Sequence, residues 1–513
     1  MVESMSHVDK SCRGLKKAKV RVKKQVLRMT RIEQGGAEQL YPRVTIDVLP
    51  DNVLLGTFEF YLGKDDPHRI YKDHDYDGWQ TLVHVCCRWR CIVFASPRRL
   101  DLKLYCTPQR SVNSKTLNIW PELPIVIFAD DMQSKEDVTN TVAALRHHNR
   151  VCKIHYRHWQ VEDSLMEEFA AIDEPFSALT SLVLSSCRQP NVPVLPDSFL
   201  GGSAPRLRLL YFYGIPYPSI GKLLSSTTDL VRLTLWHIPH SGYIAPETIV
   251  PCLSMLPSLG SLRLGFQYPR SRAHRASRHP PPLTRVVFPN LTYLRFSGDV
   301  EYLEDILSRI ETPMLNASDF WLFNQLVFDT PLLGHFICRT ETFMTTHMAR
   351  MGFSSRDVKV TLWGPEEMVN DGVETRILTI SCKPLDWQLS ALLQVLNSFL
   401  SSLKTLETLE ISVRREDWQG EIGVTQWREC LHPFAAVKQM FLKDEASVRL
   451  VAPALLELAR ERATEALPAL QNLSLTMSGW LPSGPLKEAI EEFIATRQLY
   501  GHPVTVHYED TTI

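Results

Sequence analysis

One pattern, L-x-x-L-x-L, returns from about residue 175 onward and constrains the fold more than any other feature of the chain. Clean copies are LTSLVL (179–184), LRLLYF (207–212), LVRLTL (230–235), LGSLRL (259–264), LTYLRF (291–296), LETLEI (406–411) and LQNLSL (470–475). Degenerate copies stand at LNASDF (315–320), TRILTI (375–380) and VKQMFL (437–442). Most spacings between starts lie between 23 residues (207 to 230) and 33 (437 to 470). Successive side chains alternate across a strand, so positions four and six share one face and positions three, five and seven the other. A short strand with one apolar face cannot bury that face alone, whereas stacked copies bury a continuous core. Helical segments follow some copies. In WQLSALLQVLNSFLSSL (387–403), Leu389, Leu392, Leu393, Leu396, Phe399 and Leu400 make an apolar stripe.

This spacing resembles that of leucine-rich repeats, which implies an α/β fold: an irregular solenoid over 175–513, with a curved parallel sheet inside and helices outside. Cys187 stands where the repeat pattern takes Asn or Cys. Segment 297–400 keeps the rhythm poorly, and 101–174 reads as a connector packing onto the array. An ordinary α/β sheet is the competing reading, and it predicts no shared leucine register.

The register yields candidate binding residues. Positions three, five and seven are Leu209, Tyr211 and Tyr213; Arg232, Thr234 and Trp236; Ser261, Arg263 and Gly265; Tyr293, Arg295 and Ser297. A degenerate copy adds Trp321. Tyr, Trp and Arg dominate binding hot spots, so Tyr211, Tyr213, Arg232, Trp236, Arg263, Tyr293, Arg295 and Trp321 are the candidate target-binding set. Later copies offer the smaller or more polar Thr408, Glu410, Ser412, Asn472, Ser474 and Thr476. A slip of one residue would turn the aromatics into core. If the register holds, removing Trp236 and Arg295 costs within about 0.5 kcal/mol, as at ordinary surface positions. The stretch YPRSRAHRASRHPPP (268–282) carries Arg270, Arg272, Arg275 and Arg278. It reads as solvated, and its charge beside Arg263 and Arg295 would favour an acidic or phosphorylated partner segment.

The N-terminal part reads differently. In VLPDNVLLGTFEFYL (48–62), Pro50 and Asp51 suit a helix start, and Val53, Leu54, Thr57, Phe58 and Tyr61 follow at helical spacing. In LVHVCCRWRCIVFASPRR (82–99), Leu82, Val85, Cys86, Trp89, Ile92 and Val93 predict a second amphipathic helix, with Arg88 and Arg90 on its other face and Ser96-Pro97 at its end. Two such helices are too small to satisfy each other and need a partner surface. The combination of Leu-Pro, an aliphatic pair, a later Phe, and an aliphatic-x-x-Val-Cys-x-x-Trp helix resembles an F-box over residues 45–100. The RRLDLKLYCTP…LNIWPELPIVI that follows resembles the F-box proteins that basidiomycete fungi carry in large numbers. The resemblance implies binding to a Skp-type adaptor and, through it, a cullin–RING (SCF-type) ubiquitin ligase. It places Leu49, Pro50, Val53, Leu54, Phe58, Val85 and Trp89 on the adaptor-facing or supporting surface. The inserted GKDDPHRIYKDHDYDG departs from the family pattern. Trp89 as partner contact and Trp89 as internal core both fit the motif.

The remaining features exclude more than they assign. A net charge of −1 gives no global attraction to nucleic acid or membrane. No apolar run suits a signal peptide or a membrane span, and the eleven cysteines lack a framework spacing, so an intracellular protein of cytoplasm or nucleus is expected. The basic run Lys16, Lys17, Lys19, Arg21, Lys23 and Lys24 reads as a disordered tail over 1–40 or as a localisation signal. Asp73, Asp75, Asp77 and Gly78 imitate half an EF-hand, but position twelve is His84. Cys86, Cys87 and Cys91 lack a second ligand pair for zinc, and His147, His148, His155 and His158 lack a carboxylate motif. No phosphate loop, nucleophile elbow or dinucleotide fingerprint occurs, so no enzyme, cofactor or metal site is expected. Two functions remain: a ligase substrate receptor holding an unknown protein on its repeats, or an interaction scaffold that acts without a ligase.

Overall fold

The structure is a computed structural model that describes residues 46–62, 78–107, 114–119, 121–130, 135–158, 168, 171–186, 192–269, 284–364, 376–382, 385–399, 405–414, 424–462, 467–477 and 484–510. The basic run, the Asp73–Asp77 half-motif, Cys187, Leu400 and the arginines at 270–278 lie outside these residues. The chain divides into two compact units, residues 1–100 and 101–513.

The first unit is helical. After a short 3₁₀ turn at Ile46–Val48 come α1 (Asp51–Leu62), α2 (Gly78–Val83) and α3 (Cys87–Ala95). The Pro50 carbonyl opens α1 by accepting from the Val53 and Leu54 N–H groups at 3.0 and 3.1 Å. Leu54 and Phe58, one turn apart, carry its buried stripe. The single helix expected from 82 to 95 is in fact two. The chain breaks at His84–Cys86, where extended Cys86 (φ −158°) caps α3 through its sulfur, which accepts from the Trp89 N–H at 3.4 Å. Arg90 Nε closes the other side of the break by donating to the Val83 carbonyl at 3.1 Å. Positions 82, 85, 86 and 89 keep one helical phase across the interruption, so spacing alone reads straight through it. The break leaves Leu82, Val83, Ile92 and Val93 in the core and Val85 in solvent.

The second unit is α/β. Its strands are β1 (Leu104–Cys106), β2 (Ile125–Asp130), β3 (Val151–His158), β4 (Ser181–Ser186), β5 (Leu209–Tyr213), β6 (Arg232–Ile238), β7 (Ser261–Phe266), β8 (Val286–Val287), β9 (Tyr293–Gly298), β10 (Ile310–Glu311), β11 (Ala317–Leu322), β12 (Met348–Phe353), β13 (Asp357–Trp363), β14 (Arg376–Ser381), β15 (Thr408–Val413), β16 (Gln439–Leu442), β17 (Asn472–Met477) and β18 (Thr505–Asp510). Among the described residues sixteen of them form one sheet, in the order β1-β2-β3-β4-β5-β6-β7-β9-β11-β14-β13-β12-β15-β16-β17-β18, while β8 and β10 pair separately. Every neighbour in the large sheet is parallel except β13, which is antiparallel to β12 and β14. The segment 101–174, expected as a connector, supplies β1, β2 and β3 of this sheet.

The leucine register holds across it. Leu182, Leu210, Leu233, Leu262 and Leu294 stand opposite one another, as do Leu184, Phe212, Leu235, Leu264 and Phe296. The first leucine of each copy ends a tight turn: Leu179, Leu207, Leu230, Leu259, Leu291 and Leu315 each donate their N–H to the carbonyl three residues back, at 3.0–3.4 Å. All six are at most 1 % exposed. The intervening helices pack on one another in sequence: Ile220–Leu224 on Pro246–Ser254, that on Val300–Arg309, and that on Pro331–Arg339. Right-handed crossovers between parallel strands in one running order place such helices on one face, leaving the other open.

Residues 297–400 break the rhythm because the chain reverses there. After β11 it runs β12-β13-β14 back toward β11, so TRILTI, as β14, pairs with β11 ahead of its turn in the sequence. A parallel neighbour needs a crossover of about a dozen residues or more. Between β12 and β13 only residues 354–356 are available, and Ser354 folds them into a turn, its Oγ accepting from the N–H groups of Arg356 and Asp357 at 3.1 Å.

Candidate protein-binding faces

All eight sequence candidates on the sheet emerge on the face opposite the leucines. Arg232 is exposed, and Tyr211, Tyr213, Trp236, Arg263, Tyr293, Arg295 and Trp321 are half-buried. They form rows across the strands: Tyr211, Thr234, Arg263, Arg295 and Asp319 are successive register partners.

The centre of this face is built by a bulge and a glycine. Leu235 pairs with Leu264 but Ile238 with Phe266, so β6 holds one extra residue. His237 absorbs it in the left-handed region at φ 54° and stacks on Tyr213 with ring centroids 4.7 Å apart. Burial lowers the His237 pKa, which favours the neutral ring. Trp236 lies across Gly265, where an added Cβ would stand 2.7 Å from the indole. The Arg295 guanidinium rests 4.6 Å from the centre of that indole. Its Nε is 2.9 Å from Asp319 Oδ2, but the N–H is not aimed at the oxygen, so the pair is a charge contact rather than a hydrogen bond. Arg263 lies over Tyr293 at 5.0 Å. Trp321 is tied by its Nε1–H to Ser381 Oγ of β14.

These contacts correct one expectation. Trp236 and Arg295 are on the surface, yet each is partly spent on the other, so neither is the free-standing side chain that a 0.5 kcal/mol cost assumes. Asp319 was legible as the fifth position of LNASDF, and Gly265 as an isolated glycine within a strand, which marks a close approach. The bulge had no sequence signal. The aromatic end of this face lies in 101–174, which carries no leucine register to mark it as sheet. Tyr105 stacks on Phe128 at 6.3 Å and Phe128 meets His155 at 5.7 Å. Burial lowers the His155 pKa to about 4.

The later strands carry self-paired charge. Arg350 grips Glu410 at 2.7 and 3.2 Å and lies 5.1 Å over Trp363. Lys443 lies 4.9 Å over Phe441 with Glu509 at 3.7 Å.

In the helical unit the candidates separate into core and surface. Leu54 and Phe58 are buried, Leu49 is half-buried, and Pro50, Val53 and Val85 are exposed. Trp89 is half-buried with its ring 4.7 Å from that of Phe58, which makes it a support of the interior. The exposed apolar set also includes Val48, Tyr61 and Phe60, the last 90 % exposed and missed because it falls outside the helical stripe. Arg88, expected away from the interior, anchors the start of α1 by donating to Asp51 Oδ1 and to the Leu49 carbonyl at 2.6 Å.

Among the described residues no three His, Cys, Asp or Glu side chains group as a metal site, and no helix is long and apolar enough to cross a membrane. No protein-family model matches the chain, and no curated protein matches it.

Proposed function

We propose that the protein is the substrate receptor of a cullin–RING ubiquitin ligase of the SCF type, acting in the cytoplasm or nucleus. Residues 45–100 form an F-box-like module that docks on a Skp-type adaptor. The sheet and its helices form a leucine-rich-repeat-like solenoid that holds a target protein. The observation that carries the reading is the pairing of two surfaces on separate units. One is a small helical unit that leaves Val48, Val53, Phe60, Tyr61 and Val85 exposed, apolar side chains that a partner surface would cover. The other is a mostly parallel sheet whose open face is dressed with Trp, Tyr and Arg, although parallel sheets are ordinarily covered on both faces. Such a subunit needs no catalytic residue, because it works by holding a target near a ligase.

Affinity purification with mass spectrometry tests this on the intact chain and on one lacking residues 45–100. Adaptor and cullin should accompany the first and disappear from the second, while targets stay with both. Absence of adaptor from the intact chain would leave only the scaffold reading.

A further inference from the structure

We propose that the open face at β6, β7 and β9 binds an extended acidic segment of a partner protein, with a Glu or Asp carboxylate seated on Arg263 and a second near Arg232. The proposal rests on the reading of this face as the target-holding surface and names the chemistry of what it holds.

The sheet repeats one arrangement along its open face: a cation laid over an aromatic ring and completed by a carboxylate. Arg295 lies over Trp236 with Asp319 at 2.9 Å. Arg350 lies over Trp363 with Glu410 at 2.7 Å. Lys443 lies over Phe441 with Glu509 at 3.7 Å. In both arginine cases the carboxylate is the residue directly opposite on a neighbouring strand, Asp319 facing Arg295 and Glu410 facing Arg350.

Arg263 has the ring but not the carboxylate. It lies over Tyr293, yet the residues opposite it are Thr234 and Arg295. Among the described residues no carboxylate pairs with Arg263 or with exposed Arg232 on the adjacent strand. Two like charges directly opposite across strands destabilise a sheet, and Asp319 is engaged by only one of them. Arg232, Arg263 and Arg295 against Asp319 leave an excess of two positive charges, on a chain whose net charge is −1. A guanidinium stacked on a ring retains its edge for a planar carboxylate, so the site is preorganised for the group it lacks. The neighbouring open-face residues Ser261, Thr234, Gly265 and Ser297 supply no competing charge. Two carboxylates on an extended segment match the excess.

The test uses the full chain and a fluorescent peptide of alternating Glu and Gly, read by anisotropy, with a sequence-matched Gln peptide, a phosphoserine peptide and an oligouridine as the other arms. Saturable binding of the Glu peptide is expected, none of the Gln peptide, and weakening as salt is raised. Arg263→Gln should lower affinity about tenfold or more, the scale of a lost charge-assisted hydrogen bond. Thr234→Glu places the missing carboxylate opposite Arg263 and should abolish binding with the melting temperature kept or raised. Lys443→Gln, on the distant strands, should change nothing. Wild-type affinity in Arg263→Gln overturns the proposal, as does binding of the phosphoserine peptide or oligouridine with the Glu peptide silent. Adaptor co-purification is scored on the same variants: intact adaptor binding with no peptide effect defeats the acidic-segment proposal alone, whereas loss of adaptor from the wild-type chain defeats the ligase reading and leaves the peptide result to stand by itself.

Discussion

Removing Trp236 and Arg295, singly and together, probes the register and the cluster at once. Trp236 has its indole laid over Gly265, with the Arg295 guanidinium over its ring. Truncating a fully buried Trp costs about 3–5 kcal/mol, and an ordinary surface change within about 0.5 kcal/mol. Trp236 is half-buried, so Trp236→Ala should cost about 1–2 kcal/mol, made of partial area burial and a cation–π contact worth about 0.5–1 kcal/mol. Arg295→Ala loses the same contact and removes the charge contact to Asp319, whose side chain is 14 % exposed, at a cost of about 1 kcal/mol. Because both variants delete one shared contact, the double variant should fall short of the sum by about 0.5–1 kcal/mol. Chemical denaturation of the four proteins, followed by tryptophan fluorescence and circular dichroism, measures the cycle. Strict additivity would refute the stacked geometry. A loss of several kcal/mol from Trp236→Ala alone would mean that the strand is read one residue out of register and the aromatic row is core.

Three further outcomes are expected. His155 takes its proton near pH 4 when folded and near 6.5 when unfolded, so the unfolded state binds more protons between those values. Stability should therefore fall on acidification through that window, by roughly 3 kcal/mol at most, and His155→Gln should flatten the pH dependence in equilibrium unfolding. Gly265→Ala should displace the Trp236 ring, since its Cβ would sit 2.7 Å from the indole, and a lost near-ultraviolet Trp signal with the sheet's far-ultraviolet signal kept would record it. Residues 45–100 co-expressed with a Skp-type adaptor should yield a one-to-one complex in size-exclusion chromatography that Val53→Asp with Phe60→Asp disrupts. Phe58→Ala should instead unfold the fragment, because Phe58 is buried under Trp89, and a folded fragment that ignores the adaptor would sink the assignment.

What the sequence determined by itself is whatever depends on a period. Leucines at positions four and six of each copy must share a side of their strand, so the core line from Leu182 to Leu294 and the outward set from Tyr211 to Arg295 were legible from the chain alone. The start of α1 and the Leu54–Phe58 stripe were legible for the same reason at helical period. Tertiary structure decided everything that depends on which segments become neighbours. No local signal shows that β14 precedes β13 and β12 in the sheet, because the reversal follows from a linker too short to cross over. The break at Cys86 keeps helical phase and so is invisible to periodicity, and only packing on Phe58 turns Trp89 inward. The pairing of Arg295 with Asp319, and the absence among the described residues of any such partner for Arg263, arise from register between strands separated by a whole repeat. Period is a property of the chain, whereas charge complementarity across strands is a property of the fold.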